Sequence, residues 1–203
     1  MTGGRDAQQL ERLTFFSDAV FAIAMTLLVI EVRLPHLHEF SDAALGHALL
    51  ALIPNYVGFV VSFFVLARFW VSHHTFMGEL RAGSPALVWS NLFLLAAVAF
   101  MPFPTAVVSE YGQLRVGVGF YAGWLVLLGL LHRRLLTVGA SLVADDVDPA
   151  MVRLHRMRSW IPVSIGSLAL VAGLVTPLAG LAALVVGGPI ITAVMKRRGV
   201  SPG

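Results

Sequence analysis

Residues 12–32 read RLTFFSDAVFAIAMTLLVIEV. The apolar run that begins at Leu13 continues to about Leu34, long enough to cross a bilayer, which takes roughly 20 mainly apolar residues. It carries Asp18 inside it and lacks a small-residue cleavage site, so it is not a secretory signal peptide. It reads as a retained first transmembrane helix, and that reading sets the fold class of the rest.

Five further stretches follow the same pattern, at about 45–70, 85–108, 114–136, 159–177 and 178–195. The last two run together apart from Thr176-Pro177 and Gly180. A single helix over both would be too long for one span at about 1.5 Å per residue, so a tight hairpin is expected. The predicted fold is an all-α membrane protein of six transmembrane helices, with residues 1–203 forming one transmembrane domain. Composition agrees: 58% of the 203 residues are hydrophobic and 12% charged, against roughly 45–50% and about 25% in soluble domains. Mean hydropathy is +0.84.

Basic residues orient the spans. Arg5 and Arg12 precede the first, and Arg68 and Arg81 flank the second connection. Arg133, Arg134, Arg153, Arg156 and Arg158 populate the fourth, and Lys196, Arg197 and Arg198 follow the last. The first connection sets Arg33 against Glu31, Glu39 and Asp42, the third has Glu110 and Arg115, and the fifth is uncharged. Both termini are therefore expected in the cytoplasm of a multi-pass cell-membrane protein. The formal charge of +3 does not indicate nucleic acid, because no basic stripe is interleaved with polar residues.

Within the fourth connection, Asp148-Pro149 predicts an N-cap with proline at the first helical position, opening a short basic helix on the inner surface. Asp145, Asp146 and Asp148 lack the glycine and terminal glutamate of a calcium loop and read as solvated. His36 and His38, with Glu39, lie in a loop that fixes no geometry, and no metal is assigned to them. Glycines recur in the later helices, among them Gly119, Gly123, Gly129, Gly166, Gly173, Gly180, Gly187 and Gly188, and predict close helix packing. Without cysteine, disulfides, thiol catalysis and Cys metal sites are excluded. No catalytic nucleophile arrangement, P-loop or dinucleotide fingerprint appears, so no enzyme is expected.

Two features of the first helix carry the functional argument. Arg12, Thr14, Ser17 and Asp18 are polar groups in or beside an apolar span, where they need a partner or a task. Trp70, His73 and His74, with Asn91, lie toward the same membrane side and are available for a shared hydrogen-bond network. That network reads either as an anchor for helices one to three or as a proton relay or ion site. The second feature is a stripe: Ile23, Leu27 and Ile30 fall on one helical face, with Thr26 beside it. Alone, it reads either as packing surface or as a pore wall that gates by dewetting. Asp18 lies about 140° from Ile23 at 100° per residue, which separates it from the stripe and favours a scaffold role.

The R-x-x-x-F-S-D pattern from Arg12 to Asp18, running into the apolar helix, resembles the bacterial homologues of the lysosomal/endosomal potassium channel family. The likeness continues through Trp70-Val-Ser-His73-His74, Trp89-Ser-Asn91 and Met101-Pro102-Phe-Pro104-Thr105. It implies a homotetramer without the T-V-G-Y-G filter loop, its pore lined by the first helix of each subunit. Carried over, Ile23, Leu27 and Ile30 form the apolar constriction and Thr26 a polar ring. Phe16, Ser17 and Asp18, with Arg12, Trp70, His73 and Asn91, form the interhelical network. The implied activity is passive conduction of potassium or another monovalent cation, with membrane lipid and its own copies as partners and no cofactor. The alternatives are a proton-permeable channel or ion-coupled transporter, and a non-conducting scaffold. Arg12 projects within about 20° of Ile23, so four arginines at a cation pore mouth require pairing, with Asp18 of a neighbouring chain or with backbone carbonyls.

Overall fold

The structure, a computed structural model, describes the backbone of residues 3–37 and 39–197 and the side chains of 7–37 and 39–187. His38 and Arg198 lie outside the described residues, and Arg5, Lys196 and Arg197 outside the described side chains.

Among the described residues the chain is helical, with no strand beyond one isolated bridge between Leu80 and Val143. Nine α-helices follow in order among them: α1 (Gly3–Leu27), α2 (Asp42–Ala51), α3 (Ile53–Gly78), α4 (Pro85–Ala99), α5 (Pro102–Tyr111), α6 (Arg115–Gly139), α7 (Pro149–Arg158), α8 (Trp160–Val175) and α9 (Pro177–Arg197). Five stretches are long and apolar enough to cross a membrane: Ala7–Glu31, Ile53–Gly78, Pro85–Tyr111, Arg115–Leu142 and Pro149–Val175. Pro177–Gly187 is a shorter apolar helix by the same measure.

Local chemistry sets the ends. Ser41 and Ser84 cap α2 and α4 by accepting from the amides of Ala44 (3.2 Å) and Leu87 (3.1 Å), and Asp148 caps α7 from Ala150 (2.8 Å). Each cap satisfies an orphan donor of a first turn. Proline interrupts the helices elsewhere. Pro102 and Pro104 have no N–H for the carbonyls of Val98 and Phe100. Those carbonyls are met instead by Met101 and Phe103, both at 3.1 Å, and the span divides into α4 and α5.

Three expected boundaries move, the first of them at a proline. The predicted 45–70 span divides at Leu52, just before Pro54, and its membrane-length part is Ile53–Gly78. The first helix begins at Gly3 and tightens at Leu28–Glu31 into a 3-10 turn, so Leu34 lies beyond it. The fourth run extends to Gly139 rather than ending near 136. The α8–α9 hairpin turns at Thr176, whose backbone is extended (φ −142°, ψ 136°). A Cβ on Gly180 would lie 2.8 Å from the Gly173 Cα and 2.7 Å from Val118 Cγ1, so α8 and α9 approach this closely because position 180 lacks a side chain.

Helix α6 is central, packing on α4 and α5 on one side and α8 on the other, while α8 pairs with α9. Helix α1 lies against α3 and α4, and Phe21, Ala24 and Leu28 enter a core with Leu66, Phe69, Phe76, Leu87 and Leu94. At one end of the bundle, the connections after α3 and after α6 meet. Arg81 N–H donates to the Leu142 carbonyl and Ala144 N–H to the Glu79 carbonyl, both at 2.9 Å. Arg81 also pairs with Asp145 (2.8 Å) and His155 approaches Glu79 (3.3 Å). The two connections expected on one membrane side are thus at one end of the molecule.

Candidate functional site

Helix α1 has two sides. Its inner side, from Ser17 through Phe21 and Ala24 to Leu28, is exposed by 0, 0, 1 and 0%. Its outer side leaves Ile23, Leu27 and Ile30 exposed by 57, 39 and 53%. Thr26 is exposed beside them and donates its hydroxyl proton to the Ile23 carbonyl (2.8 Å). That bond uses the only proton of the hydroxyl and leaves its oxygen as an acceptor. The 3-10 turn alters the stripe: at three residues per turn Leu27 and Ile30 eclipse one another, where an α-helix would set them about 60° apart.

Two adjacent residues clamp this helix from the inner side and its edge. Asp18 Oδ1 accepts from Trp70 Nε1 at 2.8 Å, and His74 Nδ1 lies 3.2 and 3.3 Å from its two oxygens. Trp70 and His74 sit one turn apart on α3 with ring centroids 5.5 Å apart. Ser17 enters a second, fully buried chain. Its hydroxyl bonds the Leu13 carbonyl (2.8 Å) and accepts from Asn91 Nδ2 (2.8 Å), while Asn91 Oδ1 meets His73 Nε2 at 2.7 Å. The proton directions follow from the inventory of donors. Ser17 spends its proton on Leu13, so Asn91 must donate to Ser17 and turns its carbonyl toward His73. His73 Nε2 therefore donates to Asn91, and the buried Nδ1 has no partner among the described residues. Phe21 packs on the same ring, centroids 5.5 Å apart.

Ser17, Asp18, Trp70, His73 and Asn91 are thus brought together, with His74 beside them. Arg12 and Phe16 are not. Both are exposed, and Arg12 makes no hydrogen bond or ion pair with any described residue of its own chain. They project close to the azimuth of Ile23, away from α3 and α4.

A second buried cluster was not anticipated. Thr105 Oγ1 contacts Ser62 Oγ (2.8 Å), which meets the Tyr121 hydroxyl (2.9 Å), joining α5, α3 and α6. The available signal was a hydroxyl-bearing side chain within each of three apolar helices. Ser72 likewise meets His132 Nε2 at 3.0 Å. Among the described residues no group of three metal-ligating side chains occurs. Asp145 and Asp148 are engaged by Arg81 and by the α7 cap.

The family model described as endosomal/lysosomal potassium channel TMEM175 matches residues 12–102. The chain is similar to a protein named as a potassium channel from Chamaesiphon minutus, 36% identical over 154 residues, 73% of this chain and 76% of that one. It is similar to another so named from Streptomyces collinus, 34% identical over 188 residues, 87% of this chain and 90% of that one. Its fold matches the crystal structure of a lysosomal potassium-selective channel TMEM175 homologue from Chamaesiphon minutus with TM-score 0.80, 30% identity and coverage of 89% of this chain and 95% of that one.

Proposed function

The chain belongs to the endosomal/lysosomal potassium channel TMEM175 family and is a multi-pass membrane protein; from this we propose that it is a passive potassium channel whose pore is lined by α1. Residues 1–203 form one channel domain, four copies surround the pore, and α9 supplies a sixth span. Both termini lie in the cytoplasm, on the side of the basic connections after α3 and α6.

The observation that carries this reading is the exposed apolar face of α1 opposite a polar clamp. Ile23, Leu27 and Ile30 extend over about 12 Å of helix rise, four residues α-helical and three in the 3-10 turn. Repeated by four subunits, they make stacked apolar rings that an ion crosses only by shedding water, so they set the barrier. Thr26 adds the oxygen ligands, and because these are few, selectivity is modest. Asp18 and Ser17 hold the helix at the rotation that presents this face. Arg12 finds its partner across the subunit boundary, which keeps four guanidinium groups from repelling cations at the mouth. The binding task is met by protein groups and the permeant ion alone.

Potassium flux into proteoliposomes tests the proposal, with wild type and Leu27→Ala compared and sodium run in parallel. Potassium-favouring flux that rises or loses selectivity in Leu27→Ala supports it. Absence of flux from folded tetramer, or flux indifferent to the substitution, contradicts it.

A further inference from the structure

The C-terminal end of α6, the connection that follows and α7 border an open, solvent-facing cavity of about 730 Å³. Arg133, Arg153, Arg156, Met157 and Trp160 line it, together with one acidic residue, Asp145. The charge there is unbalanced. Asp145 is engaged by Arg81 through two contacts of 3.0 and 2.8 Å. Among the described residues Arg133, Arg153 and Arg156 form no ion pair.

Arg133 is the informative member. It is half-buried and belongs to the membrane-length stretch Arg115–Leu142. Its guanidinium stands 4.1 Å from the Trp160 ring centroid. Its Nη1 donates to the Arg156 carbonyl (3.2 Å) and the Ser159 hydroxyl (3.4 Å). These partners orient the group without neutralising it. A cation at the cytoplasmic membrane interface attracts anionic headgroups, and the planar fork of arginine matches phosphate oxygens. Beside the arginines, Met157 and Trp160 are exposed apolar side chains. A soluble anion has no use for that rim, whereas the glycerol and upper acyl chain of a lipid do.

We propose that this cavity binds the phosphate headgroup of an anionic phospholipid, held between Arg133 and Arg156 with its glycerol end against Trp160. The inference rests on the cytoplasmic placement of this end given above, and not on ion conduction. Bound there, the lipid joins α6 to α7.

Native mass spectrometry of the purified full chain in detergent tests it, with phosphatidylglycerol, phosphatidylcholine and inorganic phosphate as separate probes. Phosphatidylglycerol is expected to bind more tightly than phosphatidylcholine and to persist in excess phosphate. Arg133→Gln and Arg156→Gln should each weaken it about fivefold. Arg134→Gln, exposed on the same helix but outside the cavity, should leave it unchanged. The exposed position of Arg156 keeps the test decisive if Arg133→Gln does not fold. Equal binding of the two lipids, an Arg134→Gln loss as large as that of Arg156→Gln, or displacement by phosphate would each overturn the proposal.

Discussion

Two faces of α1 carry side chains of the same kind. On one, Phe21, Ala24 and Leu28 are sealed against α3 and α4; on the other, Ile23, Leu27 and Ile30 remain open. Hydropathy does not separate them, because lipid, a neighbouring helix and a dry pore all accept the same residues. The polar groups do. Ser17 and Asp18 reach α4 and α3 through Asn91 and Trp70, and so fix which azimuth of the helix stays free. One face is therefore expected to govern stability and the other to govern permeation.

The largest effect on stability should come from the sealed face. Phe21→Ala removes a fully buried ring and should cost about 3–5 kcal/mol, read as a lowered melting temperature, with the potassium-to-sodium ratio of the surviving protein unchanged. A changed ratio at normal stability would erase the distinction between the faces. Next is Asn91→Leu, which strands both Ser17 and His73 and should cost about 1–3 kcal/mol. Paired with His73→Phe, it should cost less than the two single losses added together; strict additivity would show that the chain of bonds is not a unit.

Trp70→Phe deletes one donor to Asp18 and should cost about 0.6 kcal/mol, the average for a hydrogen bond between membrane helices. Because the clamp sets the rotation of α1, its flux should change by more than that small loss suggests. The smallest effect on stability belongs to the open face: Leu27→Ala should stay within about 0.5 kcal/mol of wild type while altering flux. Melting and flux measured on the same preparations check both statements.

Much of this contrast was legible in the sequence. The period of Ile23, Leu27 and Ile30 marked a face, and the 140° offset of Asp18 set it apart. Asp148-Pro149 announced α7, and Thr176-Pro177 the last hairpin. The break at Leu52 and the α4–α5 interruption were hidden because apolar sequence continues through Pro54 and Pro102, and hydropathy registers side chains rather than missing backbone donors. Ser62, Thr105 and Tyr121 were hidden differently: their partners lie 43 and 59 residues apart, and single hydroxyls in apolar runs give no periodic signal. Arg12 was grouped with the clamp by its motif, although its azimuth places it with the open face.

The most direct test of the two-faced helix uses the absence of cysteine from the chain, which makes any introduced thiol unique. Potassium flux would be followed through Leu27→Cys and Ala24→Cys while a small, positively charged, thiol-reactive methanethiosulfonate is added. Flux through Leu27→Cys should fall and flux through Ala24→Cys should persist. Block through Ala24→Cys, or conduction through Leu27→Cys that the reagent leaves untouched, would contradict the assignment of the open face to the pore.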